Sequence, residues 1–198
     1  MKNLLLIITI AIFIIVLFQS FTMLSAKNTE EQKYRVVHKD NDLEIRFYPS
    51  ATVATIQSKA KTYKDLSGPG FRRLAGYIFG GNETNTSISM TSPVHMNIND
   101  TASNMSFVMP SAYNQGNLPK PNDPDVQIQK TADEYVAVIR FGGYASDKDL
   151  AFYSAKLQEL LNDKDITYYG NFRFLGYNPP YQFMNRRNEV VVSVKWDE

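Results

Sequence analysis

VQIQKTADEYVAVIRFGGYASDKDLAFYSAKLQELLN, residues 126–162, reads as a strand, a turn, a second strand and a helix in succession. Residues 126–130 and 135–141 are rich in Val, Ile, Tyr and Phe, side chains that suit a half-buried pleated surface. Ser146 offers an N-cap hydroxyl and Asp149, three residues on, a reciprocal carboxylate. Leu150, Tyr153, Leu157, Leu160 and Leu161 then recur on one helical face, which predicts a helix over 147–162. Strands over 168–177 and 189–195 complete this half. The same rhythm runs through the preceding residues. Strands are expected at 34–37, 43–48 and 52–57, with a turn at Asp40-Asn41-Asp42. A helix follows over 65–79, with Ser67 and Pro69 near its start and Gly80-Gly81 at its close. Strands over 87–98 and 105–109 end that half. Residues 114–125 (NQGNLPKPNDPD) hold three prolines and read as an exposed linker. Neither half has enough elements to bury both faces of its own sheet, so the two share one core. The pattern ββαββ, twice, predicts an α+β fold: an antiparallel sheet curled into a barrel, with two helices packed outside.

Composition narrows the function. The chain has 198 residues, 21 Lys+Arg against 20 Asp+Glu, two His and no Cys. A formal charge of +1 supplies no field for holding nucleic acid. Without Cys there is no disulfide, thiol nucleophile, thiolate zinc site or iron–sulfur cluster. No GxSxG, HExxH, P-loop or Rossmann pattern occurs, which argues against an enzyme.

The first 26 residues differ from the rest. Lys2 is the only charge before Lys27, and residues 4–18 are apolar except for Thr9. A basic start followed by an apolar run is an export signal. With its extension to Leu24 the run has about 20 residues, enough to span a bilayer as an N-terminal hydrophobic helix. Residues 1–26 are expected to be an uncleaved signal anchor. The alternative is a signal peptide cut after Ala26, for which Leu24 is a poor fit at −3. Residues 27–33 then form a tether. Residues 34–198 form a membrane-anchored domain outside the cytoplasm, periplasmic or extracellular, or secreted if the signal is cut.

Two segments carry candidate chemistry. In ISMTSPVHM (88–96) alternation puts Ile88, Met90, Val94 and Met96 on one face and Ser89, Thr91 and His95 on the other. Pro93 donates nothing to a ladder, so an edge or bulge is expected there. In residues 172–192 a rigid aromatic loop, Tyr177-Asn178-Pro179-Pro180-Tyr181, is followed by Phe183, Met184, Arg186 and Arg187. Aromatic faces beside guanidinium groups suit an apolar plane that bears carboxylates. The plainer reading is an Arg–Glu189 surface pair, with the aromatics sealing the barrel end.

These segments resemble the SOUL/haem-binding protein family. M-T-S-P-V (90–94) is similar to its M-T-x-P-V strand. G-Y-N-P-P (176–180) with R-R-N-E-V (186–190) resembles its G-Y-[ND]-P-P … R-R-N-E-V signature. F-G-G-Y (141–144) resembles its turn before the second helix, and L-E-I-R-F-Y (43–48) its opening strand. The resemblance implies a distorted antiparallel β-barrel with two flanking helices and pseudo-twofold halves, and a binding or carrier role for haem or another porphyrin rather than catalysis. It also implies a groove between the first helix and the loop before R-R-N-E. Phe71, Leu74, Tyr77 and Ile78 of the helix would line it, with Met90 of the M-T-S-P-V strand and Tyr181, Phe183 and Met184 of the loop. Arg72, Arg73, Arg186 and Arg187 would be near for propionates. Phe47 stands where members credited with an axial histidine carry it, which leaves His95 as the candidate iron ligand in that region. Met90, Met96, Met184 and the tyrosines are weaker alternatives, as is haem held without a strong ligand. The competing reading is a module on the same barrel for a non-haem ligand or a protein partner.

Overall fold

The computed structural model describes residues 8–10, 13 and 29–197. Its elements are β1 (Glu30–Glu31), β2 (Arg35–Asp40), β3 (Leu43–Tyr48), β4 (Thr52–Ser58), α1 (Tyr63–Ile78), β5 (Thr91–Ser92), β6 (Val94–Asn97), β7 (Ser103–Val108), β8 (Gln127–Lys130), β9 (Glu134–Phe141), α2 (Asp147–Asp163), β10 (Tyr168–Gly176) and β11 (Asn188–Val194). Nine strands form one antiparallel sheet in the order β2-β3-β9-β11-β10-β6-β7-β4-β8. From β3 to β8 this order is palindromic between the halves. β3 of the first half pairs with β9 of the second, and β8 of the second pairs with β4 of the first. The exchange interlocks the halves and gives them one core.

The expected barrel is corrected to an open sheet. Its edges are β2 and β8, and each pairs on one side only. Both are short and polar, RVVHKD and QIQK. Charged, exposed edge strands resist further pairing, so the sheet does not close on itself. The expected strand over 87–98 is broken at Pro93 into β5 and β6. β6 is internal, between β10 and β7, and β5 pairs in parallel with β1.

Both helices pack on one face of the sheet. Leu66, Leu74, Tyr77 and Ile78 of α1 and Leu157 and Leu161 of α2 are fully buried there, against Leu43, Ile45, Ile56, Met105, Ile139 and Val192. Side-chain oxygens start both helices: Thr62 Oγ1 accepts from Asp65 N (3.1 Å) and Ser146 Oγ from Asp149 N (3.3 Å). Thr62→Ala is expected to cost about 1 kcal/mol, read as a lowered urea midpoint at unchanged m. α1 ends as Gly80 enters φ +104° and Gly81 N donates to Gly76 O at 2.8 Å, the six-residue closing bond of a helix terminus. A Cβ on Gly81 would lie 2.5 Å from that same oxygen, so no larger residue fits there unless the turn moves.

The opposite face carries a smaller apolar cluster of Tyr48, Val136, Val138, Leu175 and Val191. Residues 30–32, read as part of a tether, are seated on the sheet. Their polar groups find specific partners: Gln32 N donates to Ser92 O (2.8 Å), and Glu31 pairs with Arg187 (3.1 Å).

The expected N-terminal anchor falls mostly on residues 1–7, 11–12 and 14–28, outside the described residues. A crossing helix needs about 20 apolar residues, and among the described residues no helix is long and apolar enough to cross a membrane. The membrane-anchored, exported location is withdrawn on that finding.

Candidate functional site

Two loops meet at one end of the sheet. One is the Gly142-Gly143 turn, which leads from β9 toward α2. The other is the segment 177–187 between β10 and β11. Arg186 organises the second loop from within. Its Nη1 donates to Pro179 O (2.7 Å) and Gln182 O (2.6 Å), and its Nη2 to Asn178 O (3.3 Å). Its guanidinium also lies 4.4 Å from the ring centre of Tyr144. The Tyr144 hydroxyl donates to Pro180 O (3.1 Å) and Asn188 Nδ2 to Gly143 O (2.8 Å), which locks the two loops together. The prolines restrict the loop and supply no N–H of their own, and Arg186 gathers its carbonyls, of which Pro179 O also accepts from Gln182 N at 3.2 Å.

Between the loops lies an open groove of about 620 Å³, lined by Arg140, Phe141, Gly142, Gly143, Phe183, Asn185 and Arg186. Phe183 of this lining is 50% exposed, and Tyr144, Tyr181 and Met184 of the same two loops are 53–57% exposed. Four large side chains on two adjoining loops are thus left exposed rather than packed into the core.

Of the candidate residues, Phe183 and Arg186 line this groove, and Tyr181 and Met184 are exposed on the same loop. The structure places the other candidates elsewhere. Leu74, Tyr77 and Ile78 lie in the core beneath α1. The Tyr77 hydroxyl donates to Pro119 O (3.0 Å), and burial pushes its pKa up to about 12. Phe71 is half-buried, with its ring 5.2 Å from that of Phe107, and Met90 packs at the core margin. Arg73 clamps the 114–125 linker through Asp123 (2.7 Å) and Asp125 (2.6 Å). Arg72 is exposed on α1. His95 points to the sheet face opposite the helices, where its Nε2 meets Gln32 Oε1 at 2.7 Å. Burial, then the Arg173 charge, holds its pKa down at about 3.

Arg187 also faces away from the groove. It stacks 3.7 Å from the ring centre of Tyr177 and donates to Glu189 Oε1 (2.9 Å), Glu31 Oε2 (3.1 Å) and the Tyr34 hydroxyl (3.1 Å). The expected Arg–Glu189 surface pair is corrected to a buried network. Glu189 is 0% exposed and is held from a second side by Arg46, at 2.9 Å and 3.1 Å, and by the Tyr177 hydroxyl at 2.8 Å. Burial disfavours the Arg46 charge, but the hydrogen bonds and charge of Glu189 outweigh it and hold that guanidinium above its usual range. Burial, then the Glu189 charge, pushes the Tyr177 hydroxyl well up.

Arg140 and Asn185 were not among the candidate residues of the sequence. The F-G-G-Y motif was the available signal. It marked the turn, but not that the 177–187 loop folds over against it.

Comparison with known proteins follows this geometry. The model of the family described as SOUL heme-binding protein matches residues 29–193. The chain belongs to the SOUL haem-binding protein family. Heme-binding protein 1 of Xenopus laevis is 34% identical to this SOUL chain over 155 residues, covering 74% of this chain and 80% of that one. Heme-binding protein 1 of Mus musculus is 28% identical over 160 residues, covering 77% and 84%. Heme-binding protein 2 of Homo sapiens is 28% identical over 160 residues, covering 77% and 78%. Among solved structures, the EcmrR C-terminal domain superposes with a TM-score of 0.57 at 9% identity, over 83% of this chain and 99% of that one. A hydrolase from Listeria innocua superposes at 0.54 with 8% identity, over 80% and 94%. Both likenesses are of fold alone.

Proposed function

We propose that this SOUL protein binds haem or a related tetrapyrrole in the groove between the Gly142-Gly143 turn and the 177–187 loop, as a carrier or buffer rather than as an enzyme. One observation supports the placement: in a family of haem-binding proteins, the half-exposed Phe183 lines a groove of about 620 Å³, on a loop that also exposes Tyr181 and Met184. A flat apolar macrocycle covers such a surface and gains the burial the protein leaves unmet. The lining is apolar surface, amide and guanidinium, and contains neither a nucleophile nor a general base, which favours binding over catalysis.

Haem bound here would supply an iron centre. Neither histidine lies at the groove: His95 is on the far face of the sheet, and His38 of β2 sits 5.4 Å from the Trp196 ring. Binding in this reading rests on apolar contact and charge. The absence of an imidazole also favours a second reading, in which the groove takes a different flat, anionic ligand.

Haemin titration of the full chain, followed at the Soret band, tests the first reading. Saturable one-to-one binding is expected. Phe183→Ala should weaken it about tenfold, the loss of one partly buried aromatic contact, while His95→Ala leaves the spectrum unchanged. No saturable shift in a folded protein would overturn the haem reading in favour of the second. A spectrum altered by His95→Ala would move the site off this groove.

A further inference from the structure

We infer that Arg140 is the residue that binds the ligand's carboxylate in this groove, a role that rests on the ligand reading above. Three of the four arginines near the signature segments are already engaged. Arg73 is held by Asp123 and Asp125, Arg186 by three loop carbonyls, and Arg187 by Glu189, Glu31 and Tyr34. A guanidinium clamped by internal acceptors offers no free fork for a bidentate carboxylate pair. Arg72 is uncommitted but does not line the groove.

Arg140 differs from all of these. It stands at the end of β9, lines the groove and is exposed. Among the described residues it makes no hydrogen bond or ion pair. Its cross-strand neighbour on β11 is an acid, Glu189. That carboxylate is already satisfied by Arg46, Arg187 and Tyr177, so the Arg140 fork is left facing solvent at the groove. No Asp or Glu lines the groove, and its two charges, Arg140 and Arg186, are both positive.

Two further groups support an acceptor-bearing ligand. Asn185 lines the same groove in the left-handed backbone region (φ 52°), and its amide has no partner among the described residues. Arg186 Nε is a buried donor without an acceptor. The ligand class that fits is a flat apolar body bearing carboxylate: the apolar body on Phe183 and a carboxylate on Arg140 in bidentate pairing.

The test compares haemin with haemin dimethyl ester, whose carboxylates are blocked, on the full-length wild type and on Arg140→Ala, Arg140→Lys and Arg72→Ala. Arg140→Ala is expected to weaken haemin about tenfold, the loss of one charge-assisted pair, and to leave ester binding unchanged. Lysine restores part of the affinity as a point charge, and Arg72→Ala behaves as wild type. Wild-type haemin affinity in Arg140→Ala overturns the assignment while leaving the haem reading intact. An equal loss for haemin and its ester also overturns it, by making the effect one of shape. Failure of the wild type to bind haemin overturns both.

Discussion

Glu189→Ala is expected to cost about 3–5 kcal/mol of folding stability, the effect of removing one partner of a buried ion pair. Glu189 is 0% exposed, and Arg46, which it meets at 2.9 Å and 3.1 Å, is 3% exposed. Without the carboxylate, Arg46 keeps Glu44 at 2.6 Å, the Tyr48 hydroxyl at 3.4 Å and its place 4.2 Å from the Tyr34 ring centre. The Tyr177 hydroxyl loses its acceptor, and Arg187 keeps only Glu31 and the Tyr34 hydroxyl. The loss comes from stranded charges rather than from the worth of the pair itself. A double replacement, Arg46→Met with Glu189→Leu, should therefore recover much of it. Urea unfolding of the two variants beside wild type checks both statements. A single-variant loss below about 1 kcal/mol, the size of an exposed pair, would mean that water reaches the network.

The second large effect is acid sensitivity through His95. Its cross-strand neighbours are Leu175 and Ser106, its Nε2 meets Gln32, and Arg173 lies near enough to oppose a positive ring. Its pKa falls from 6.5 to about 3 on folding. The unfolded chain then binds the proton first as pH drops. Stability is full above about 6.5 and is lost as pH falls from there toward about 3. One proton corresponds to about 1.4 kcal/mol per pH unit, so on the order of 3 kcal/mol is gone by about pH 4. Carboxylates titrate over part of the same range, and His95→Gln separates the two. The variant should lose about 3 kcal/mol less than wild type between about pH 7.5 and about pH 4. Parallel curves for the two proteins would show that His95 protonates in place.

The repeat of strands and helices was legible because it is written locally. The Ser146 cap, the Leu157 and Leu161 stripe and the β-branched runs act within a few residues of chain, and α2 begins at Asp147 as that chemistry predicts. An irregularity at Pro93 was legible as an edge or a bulge, since a missing N–H interrupts a ladder, but the break into β5 and β6 and the internal place of β6 were not. The closure of the sheet was not. Whether two edges meet depends on the exchange of β3 and β8 between halves and on the polar character of β2 and β8 in place, which local pattern does not reach.

The same division runs through the candidate site. Periodicity put Leu74, Tyr77 and Ile78 on one face of α1, but whether that face meets a sheet or a ligand is decided by what packs on it, and here it is the core. The motif residues Tyr181, Phe183 and Met184 were identified and are exposed on the same loop. The partners of the arginines lay beyond the sequence. Arg73 finds its acids in the linker 50 and 52 residues away, and Arg46 finds Glu189 across 143 residues. The sequence by itself determined the family, the repeated order of elements and the aromatic loop, because these rest on local spacing and motif. The tertiary structure alone decided which charges were consumed in the interior and left Arg140 at the groove. An ion pair forms where the fold brings two charges together and removes water from them, and no spacing along the chain records that.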